Sequence, residues 1–263
     1  MAKLILKSKH RVLCGDCTIK ENVDRLMDGQ KADMVFTDPP YGMALDTDYE
    51  KITDPKNAMH RKAGKDLCLG KKYNKVIGDD TEFIGKFILE FFPNCQEIFL
   101  WGADYYIETL ERTHENLGSW VVWDKITTAA GVVSEGAGKM FGSQFELCWS
   151  KNKHKREIVR LFHKGFTSVD NSEKVHPTQK PVQLGEWFIN RWGKDKQNTV
   201  DIFLGSGSTL IACEKTGRKC FGMEIDPHYC TVICQRYIDY VGTDENVFIN
   251  RGGKKIKWQD LKK

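Results

Sequence analysis

The sequence predicts an α/β fold, a mostly parallel sheet covered by helices on both faces. Three observations predict it. Short apolar, β-favouring runs recur at Arg11–Cys14, Met34–Thr37, Glu97–Trp101, Thr199–Phe203 and Phe221–Glu224, each too short for a helix. Longer segments with helical spacing lie between several of them, such as 18–27 with Ile19, Val23, Leu26 and Met27 on one face. Several runs stop in Gly, Asp or Pro, residues that turn the chain away where open α/β sheets place their ligands.

The first strand, Arg11–Cys14, ends in Gly15-Asp16, and the helix that follows is turned by Gly29-Gln30. Met34-Val35-Phe36 then reads as a buried strand stopped by Thr37-Asp38-Pro39-Pro40-Tyr41-Gly42, because two prolines cannot continue a ladder. From Ala44 to Asp80 periodicity fades. Between Lys51 and Lys75, the basic residues Lys51, Lys56, Arg61, Lys62, Lys65, Lys71, Lys72 and Lys75 face only Asp54 and Asp66, so a long charged loop is expected. A helix over 83–92 stops at Pro93-Asn94, Glu97–Trp101 is a strand ending in Gly102-Ala103-Asp104, and 105–112 resumes helical character. Trp120–Lys125 is a strand, and the Gly, Ser and Ala content of 127–142 predicts a loop. Phe145–Trp149 alternates around Glu146 and suggests an antiparallel strand.

The stretch 151–164 carries Lys151, Lys153, Lys155, Arg156, Arg160 and Lys164 against Glu157, with Phe162, His163 and Phe166 interleaved. Basic and aromatic residues together fit nucleic acid, and a charged hairpin edge that discourages aggregation is the competing explanation. His176-Pro177-Thr178-Gln179-Lys180-Pro181 opens a helix running through Arg191. The strand Thr199–Phe203 enters the tight turn Gly205-Ser206-Gly207 and a helix over 208–215, where glycines admit a ligand to the backbone and free N–H groups. The spacing is not that of a dinucleotide site, since Leu210 stands where the third glycine belongs. Phe221–Glu224 ends in an acid suited to gripping ribose hydroxyls, Asp226-Pro227 caps a helix through Tyr240, and the basic tail from Arg251 is expected to fray.

At 263 residues, 40% hydrophobic and 29% charged, the chain is most simply one domain over 1–263 with insertions at about 44–80 and 127–170. A net charge of +4 leaves attraction to nucleic acid to local clusters. No apolar run approaches the ~20 residues of a bilayer span, and the apolar part of Met1–Lys7 is too short for a signal peptide. Nine scattered cysteines suggest reduced thiols in a cytoplasm. Cys14-Gly15-Asp16-Cys17 has no accompanying His pair or second CxxC, so no metal is expected.

Asp38-Pro39-Pro40-Tyr41 sets a carboxylate, rigid carbonyls and a flat ring side by side. As a bare tripeptide Asp-Pro-Pro is a turn; with the aromatic it suits a planar base carrying an exocyclic amine. This motif resembles the catalytic motif of S-adenosylmethionine-dependent DNA amino-methyltransferases, and Asp201-Ile202-Phe203-Leu204-Gly205-Ser206-Gly207-Ser208-Thr209 resembles their cofactor loop. The order, catalytic motif first, is that of the circularly permuted β class. The resemblance implies a Rossmann-like methyltransferase fold with a seven-stranded sheet and an antiparallel edge strand from the region of Trp123 to Trp149. It also implies S-adenosylmethionine as cofactor and transfer to N6 of a flipped-out adenine by Asp38, Pro39, Pro40 and Tyr41. Cofactor contacts fall by the same resemblance on Asp16, His176, Thr178, Lys180, Pro181, Asp201, Phe203, Gly205, Ser206, Gly207, Ser208, Thr209 and Glu224. The partner implied is double-stranded DNA, clasped at Lys71, Lys72, Lys155 and Arg156, in a prokaryotic or phage-infected cell. A homodimer stays open, and no restriction endonuclease partner is named. Cytosine N4 presents the same amine chemistry, and Asp rather than Ser at position 38 leans toward adenine. RNA adenine lacks a recognisable RNA-binding module, and a catalytically silent DNA-binding module would waste the intact motif.

Overall fold

A computed structural model describes residues 3–7, 9–48, 72–110, 117–128, 131–133, 143–163, 175–193, 197–251 and 254–261. In chain order they form β1 (Lys3–Lys7), β2 (Arg11–Cys14), α1 (Lys20–Met27), β3 (Met34–Thr37), α2 (Lys86–Phe91), β4 (Glu97–Trp101), β5 (Ser119–Asp124), β6 (Phe145–Ser150) and β7 (Glu157–Arg160). Then follow α3 (Val182–Trp192), β8 (Asn198–Asp201), α4 (Ser208–Lys215), β9 (Lys219–Glu224), α5 (Pro227–Val241), β10 (Phe248–Arg251) and β11 (Lys254–Lys257). All described strands join one sheet in the order β11-β10-β1-β2-β9-β8-β3-β4-β6-β5-β7.

Strand periodicity divides the core between the two faces. Met34 and Phe36 of β3, with Phe99 and Trp101 of β4, pack with Leu184 and Phe188 of α3, Leu210 of α4 and Ile233 of α5. Val35, Ile98 and Leu100 point the other way, into a core with Val23 and Leu26 of α1 and Ile88 of α2. The parallel neighbours β3 and β8 therefore send their following helices to opposite faces. Their carboxyl ends open a crevice at the point where the strand order reverses.

The α/β class stands, with differences of detail. The sheet has eleven described strands rather than seven. Within the expected seven, β2-β9-β8-β3-β4-β6-β5, the antiparallel strand is β6, one place in from the end and paired with both β4 and β5. The tail does not fray: β10 and β11 form a hairpin against β1, and Trp258 beyond it is buried. Its lysines misled because charge on an edge strand is what keeps that edge from pairing with another chain. Of the expected helical segment 105–112, residues 111 and 112 lie outside the described residues, and the rest forms 3₁₀ turns, Ala103–Tyr105 and Ile107–Leu110. The helix expected from His176 starts at Val182, because Pro181 cannot supply an interior N–H. Of the two expected insertions, 49–71, 129–130, 134–142 and 164–170 lie outside the described residues, while β6 and β7 within 127–170 belong to the sheet.

The stretch 72–80 is ordered by one buried side chain. Asp79 Oδ1 accepts the backbone N–H groups of Tyr41, Gly42 and Met43 at 3.1, 3.1 and 3.2 Å, and its Oδ2 accepts that of Leu45 at 2.8 Å. Gly42 takes a φ of 74° in this turn, and a Cβ there would meet the Thr81 carbonyl at 2.7 Å. Thr47 and Tyr73 extend the pairing outward. Asp79→Ala should thus speed hydrogen exchange at the amides of residues 41, 42, 43 and 45 by about tenfold to a hundredfold, the scale of a charged hydrogen bond. Asp79→Asn keeps one oxygen and should release Leu45 selectively, since its NH₂ would face that N–H. Unchanged exchange in the alanine variant would show that Asp79 does not order this turn.

Candidate active site

Asp38 leaves the end of β3 with both carboxylate oxygens engaged. Oδ1 accepts the Tyr41 hydroxyl at 2.5 Å and Oδ2 accepts the Lys180 ammonium at 2.5 Å. Lys180 also lies 3.1 Å from Glu146 Oε2, whose other oxygen accepts Lys125 at 2.8 Å. A chain of alternating charge thus runs Asp38, Lys180, Glu146, Lys125, floored by Trp101 and Trp123, over whose rings Lys180 and Lys125 sit at 5.3 Å. Burial would raise Glu146, but the two lysines outweigh it and hold its carboxyl at about 2. Burial lifts Asp38 above the usual carboxylate range, with Lys180 opposing.

The Tyr41 ring stacks on Tyr105, centroids 5.1 Å apart and planes 8° from parallel. It also presses on the backbone of Gly102, where a Cβ would come 2.1 Å from the ring. Gly102 has a φ of 61°, so the turn after β4 needs glycine for both reasons.

Across the crevice, Asp201 at the end of β8 is buried and fully used. Its oxygens accept the hydroxyls of Thr37 (2.7 Å) and Thr209 (2.6 Å) and the Phe203 amide (3.1 Å). Burial pushes its carboxyl up to about 6. Gly205 and Gly207 take φ values of 54° and 85°; a Cβ on Gly207 would meet Ile233 at 3.2 Å. Arg236 donates to the carbonyl and hydroxyl of Ser206. Ser208, opening α4, has a buried Oγ with no bond among the described residues. Glu224 at the end of β9 accepts the amides of Gly205 and Asp226 at 2.8 and 2.9 Å, and burial pushes it up to about 7. His176 Nδ1 is 3.3 Å from the Thr178 amide, and its ring meets Tyr229 edge-on at 4.3 Å. Asp16 accepts the amide and hydroxyl of Thr18.

One cavity of about 1100 Å³ joins both halves. It is lined by Asp38, Pro39, Pro40 and Tyr41, and by Asp16, His176, Thr178, Lys180, Asp201, Phe203, Gly205, Ser206, Ser208, Thr209 and Glu224. Gly207 and Pro181 shape the turn and the helix start without lining it. Lys180, expected among the cofactor residues, points to Asp38 and Glu146. Lys71 lies outside the described residues. Lys72 is exposed at the stem of the first insertion, 3.7 Å from Asp48. Lys155 and Arg156 are exposed and enter β7, the sheet's edge, from its amino end, opposite the cavity. Sequence reasoning passed over Asp79, Tyr105, Lys125 and Glu146. The lone acid inside the apolar Phe145–Trp149 was the one available signal for Glu146, and nothing marked Tyr105. Among the described residues no group of three His, Cys, Asp or Glu could hold a metal, and no helix is long and apolar enough to cross a membrane.

Comparison with known proteins follows the same lines. The chain is 23% identical over 236 residues to the type II methyltransferase M.HpaI of Haemophilus parainfluenzae, covering 78% of this chain and 67% of that one. It is 24% identical over 239 residues to M2.LlaDCHI of Lactococcus lactis subsp. cremoris, covering 79% and 82%. A shorter match to M.PvuII of Proteus hauseri, 32% over 74 residues, covers 28% of this chain and only 22% of that protein. Two solved structures share the fold. The M1.HpyAVI–SAM complex has a TM-score of 0.52 at 18% identity over 86% of this chain and 98% of its own. PvuII DNA methyltransferase, described as cytosine-N4-specific, has 0.53 at 17% identity over 92% and 89%. The family model N6_N4_Mtase, described as DNA methylase, matches residues 71–235, more than half of the sequence, and the chain belongs to that family.

Proposed function

We propose that this chain, acting as one catalytic domain over 1–263, transfers a methyl group from S-adenosylmethionine to N6 of an adenine flipped out of double-stranded DNA. The observation that carries the reading is the shared cavity, in which the Asp38 carboxylate and the glycine turn after β8 face each other across adjacent strand ends. The cofactor half fits such a ligand. Two left-handed glycines leave a cradle that side chains would fill, and the buried Ser208 hydroxyl has no partner among the described residues at the start of α4, where N–H groups face anions. Glu224 is set to accept two ribose hydroxyls.

When bound, the cofactor supplies an electrophilic sulfonium methyl. The chain supplies the rest. An exocyclic amine is a weak nucleophile because its lone pair is delocalised into the ring. Asp38 and the Pro39 carbonyl accept its two N–H groups and favour a tetrahedral nitrogen with an available lone pair. Asp38 or solvent would take the surplus N–H proton of the methylated amine. Tyr41 offers the extruded base a stacking face, which offsets part of the cost of unpairing. Phosphate contact falls to Lys72 and to Lys75 at the cavity wall. Lys155 and Arg156 reach only DNA that passes around the β7 edge.

Cytosine N4 is the second reading, favoured by the fold shared with a cytosine-N4-specific enzyme. Methylated DNA digested to nucleosides and analysed by mass spectrometry separates the two: N6-methyladenine is expected, and N4-methylcytosine alone would replace adenine as the target. Asp38→Ala should lower kcat by ~10²-fold or more, the scale for one preorganised contact, and leave cofactor affinity nearly unchanged. Turnover near that of the wild type would remove Asp38 from the chemistry.

Glu224 sets a pH dependence. Its carboxyl, raised to about 7 by burial, holds a proton below that pH and cannot then accept both hydroxyls. Cofactor binding must expel the proton, so affinity measured by calorimetry should be flat above pH 8 and weaken by about tenfold by pH 6. Glu224→Gln should bind more weakly and show no such slope; a slope that persists in this variant would assign it to another group.

A further inference from the structure

We infer that Lys180, held in place by Glu146, is a positioning residue that keeps Asp38 an anion aimed at the amine, and that it does not serve the cofactor. This rests on the proposed role of Asp38 as the amine's acceptor. The geometry is specific. Lys180 Nζ is 2.5 Å from Asp38 Oδ2 and 3.1 Å from Glu146 Oε2, and the three side chains are only 13%, 21% and 24% exposed. Lys125 closes the chain at Glu146 Oε1, 2.8 Å away. Four charges cancel in pairs, so the cluster is neutral as a unit. Without Lys180, two carboxylates would face each other across a partly dry cavity with one cation left on the far side of Glu146. One of them would then take up a proton.

Asp38 is the carboxylate that would take it. Glu146 keeps Lys125 as a partner, whereas Asp38 keeps, among the described residues, only the Tyr41 hydroxyl. A protonated Asp38 loses the charge that draws the amine's N–H, and its own O–H competes as a donor. The other titratable groups near Asp38 do not replace the lysine. Burial holds the hydroxyls of Tyr41 and Tyr106 and the thiol of Cys148 neutral across the working range. Asp201 is a third acid on the neighbouring strand and adds to the repulsion. Trp101 beneath the ammonium excludes water from that side and makes the ion pair less screened.

The test is the pH profile of kcat, at saturating cofactor and DNA, for the wild type, Lys180→Met, Lys180→Arg and Lys180→Met/Glu146→Gln. Lys180→Met should lose about tenfold or more at neutral pH and move the acid limb upward by about one pH unit or more, regaining activity in alkali. Lys180→Arg should restore the limb. The double variant removes the repelling carboxylate with the lysine and should return the limb part of the way. Cofactor affinity by calorimetry should stay within about threefold of the wild type, the margin for a group outside that subsite. A Lys180→Met variant that binds cofactor weakly and turns over normally at saturation would overturn the inference and return Lys180 to the cofactor. Loss of activity equal at every pH would overturn it too. A wild type that methylates neither adenine nor cytosine would instead bring down the proposed function beneath it.

Discussion

The hydrogen bond between the Thr37 hydroxyl and Asp201 joins the ends of two strands that belong to different halves of the molecule. β3 delivers the Asp38 turn and β8 delivers the glycine turn, and neither turn is continuous with the other in sequence. The ladder between the strands and this side-chain tie fix their separation at the carboxyl ends, as Asp33 does at the amino ends by accepting the amides of Gln197 and Asn198. The same carboxylate also holds Thr209 in α4 and the Phe203 amide, so the strand, the turn and the helix start all hang on a single buried acid. Three donors take three of its four acceptor sites and leave neither oxygen bare, which is why burying the group is tolerable. A pocket that must place two reactants within bonding distance depends on rigidity of this kind.

Much of the sheet was legible because its strands obey a simple rule. Short runs such as Met34–Thr37 and Phe221–Glu224 are buried on both faces and run into breakers, and burial on both faces leaves them no other structure. The glycine turn after β8 was legible for a related reason: Gly205 and Gly207 occupy left-handed backbone positions that other residues rarely adopt. Misreadings came where charge has two meanings. The lysines of β11 suggested a solvated tail and instead guard an edge, and Lys155 with Arg156 enters the opposite edge.

The electrostatic centre was less legible, because its members are distant in sequence. Asp38, Lys125, Glu146 and Lys180 come from four separate segments, and no local spacing announces that they meet. Asp79 hid in the same way. It lies at the end of a stretch whose composition reads as loop, yet its bonds are to the turn 41–45, more than thirty residues earlier. Long-range pairing of this sort leaves no trace in periodicity, since each residue is a single polar position in otherwise ordinary surroundings.

Gly102 carries a consequence of a different kind. Its missing Cβ is the space into which the Tyr41 ring settles, and its left-handed backbone sends the chain toward Tyr105. In a library of all single substitutions this position would tolerate nothing, alanine included. Gly29, Gly217 and Gly242 share the left-handed backbone but have no atom within 4 Å of a would-be side chain, so they would lose only the modest energy of strained dihedrals. The contrast would mark position 102 as part of the aromatic pocket although it contributes no side chain to it. A substitution tolerance map would thus locate the Tyr41–Tyr105 stack by its intolerance at a residue that offers no chemistry of its own.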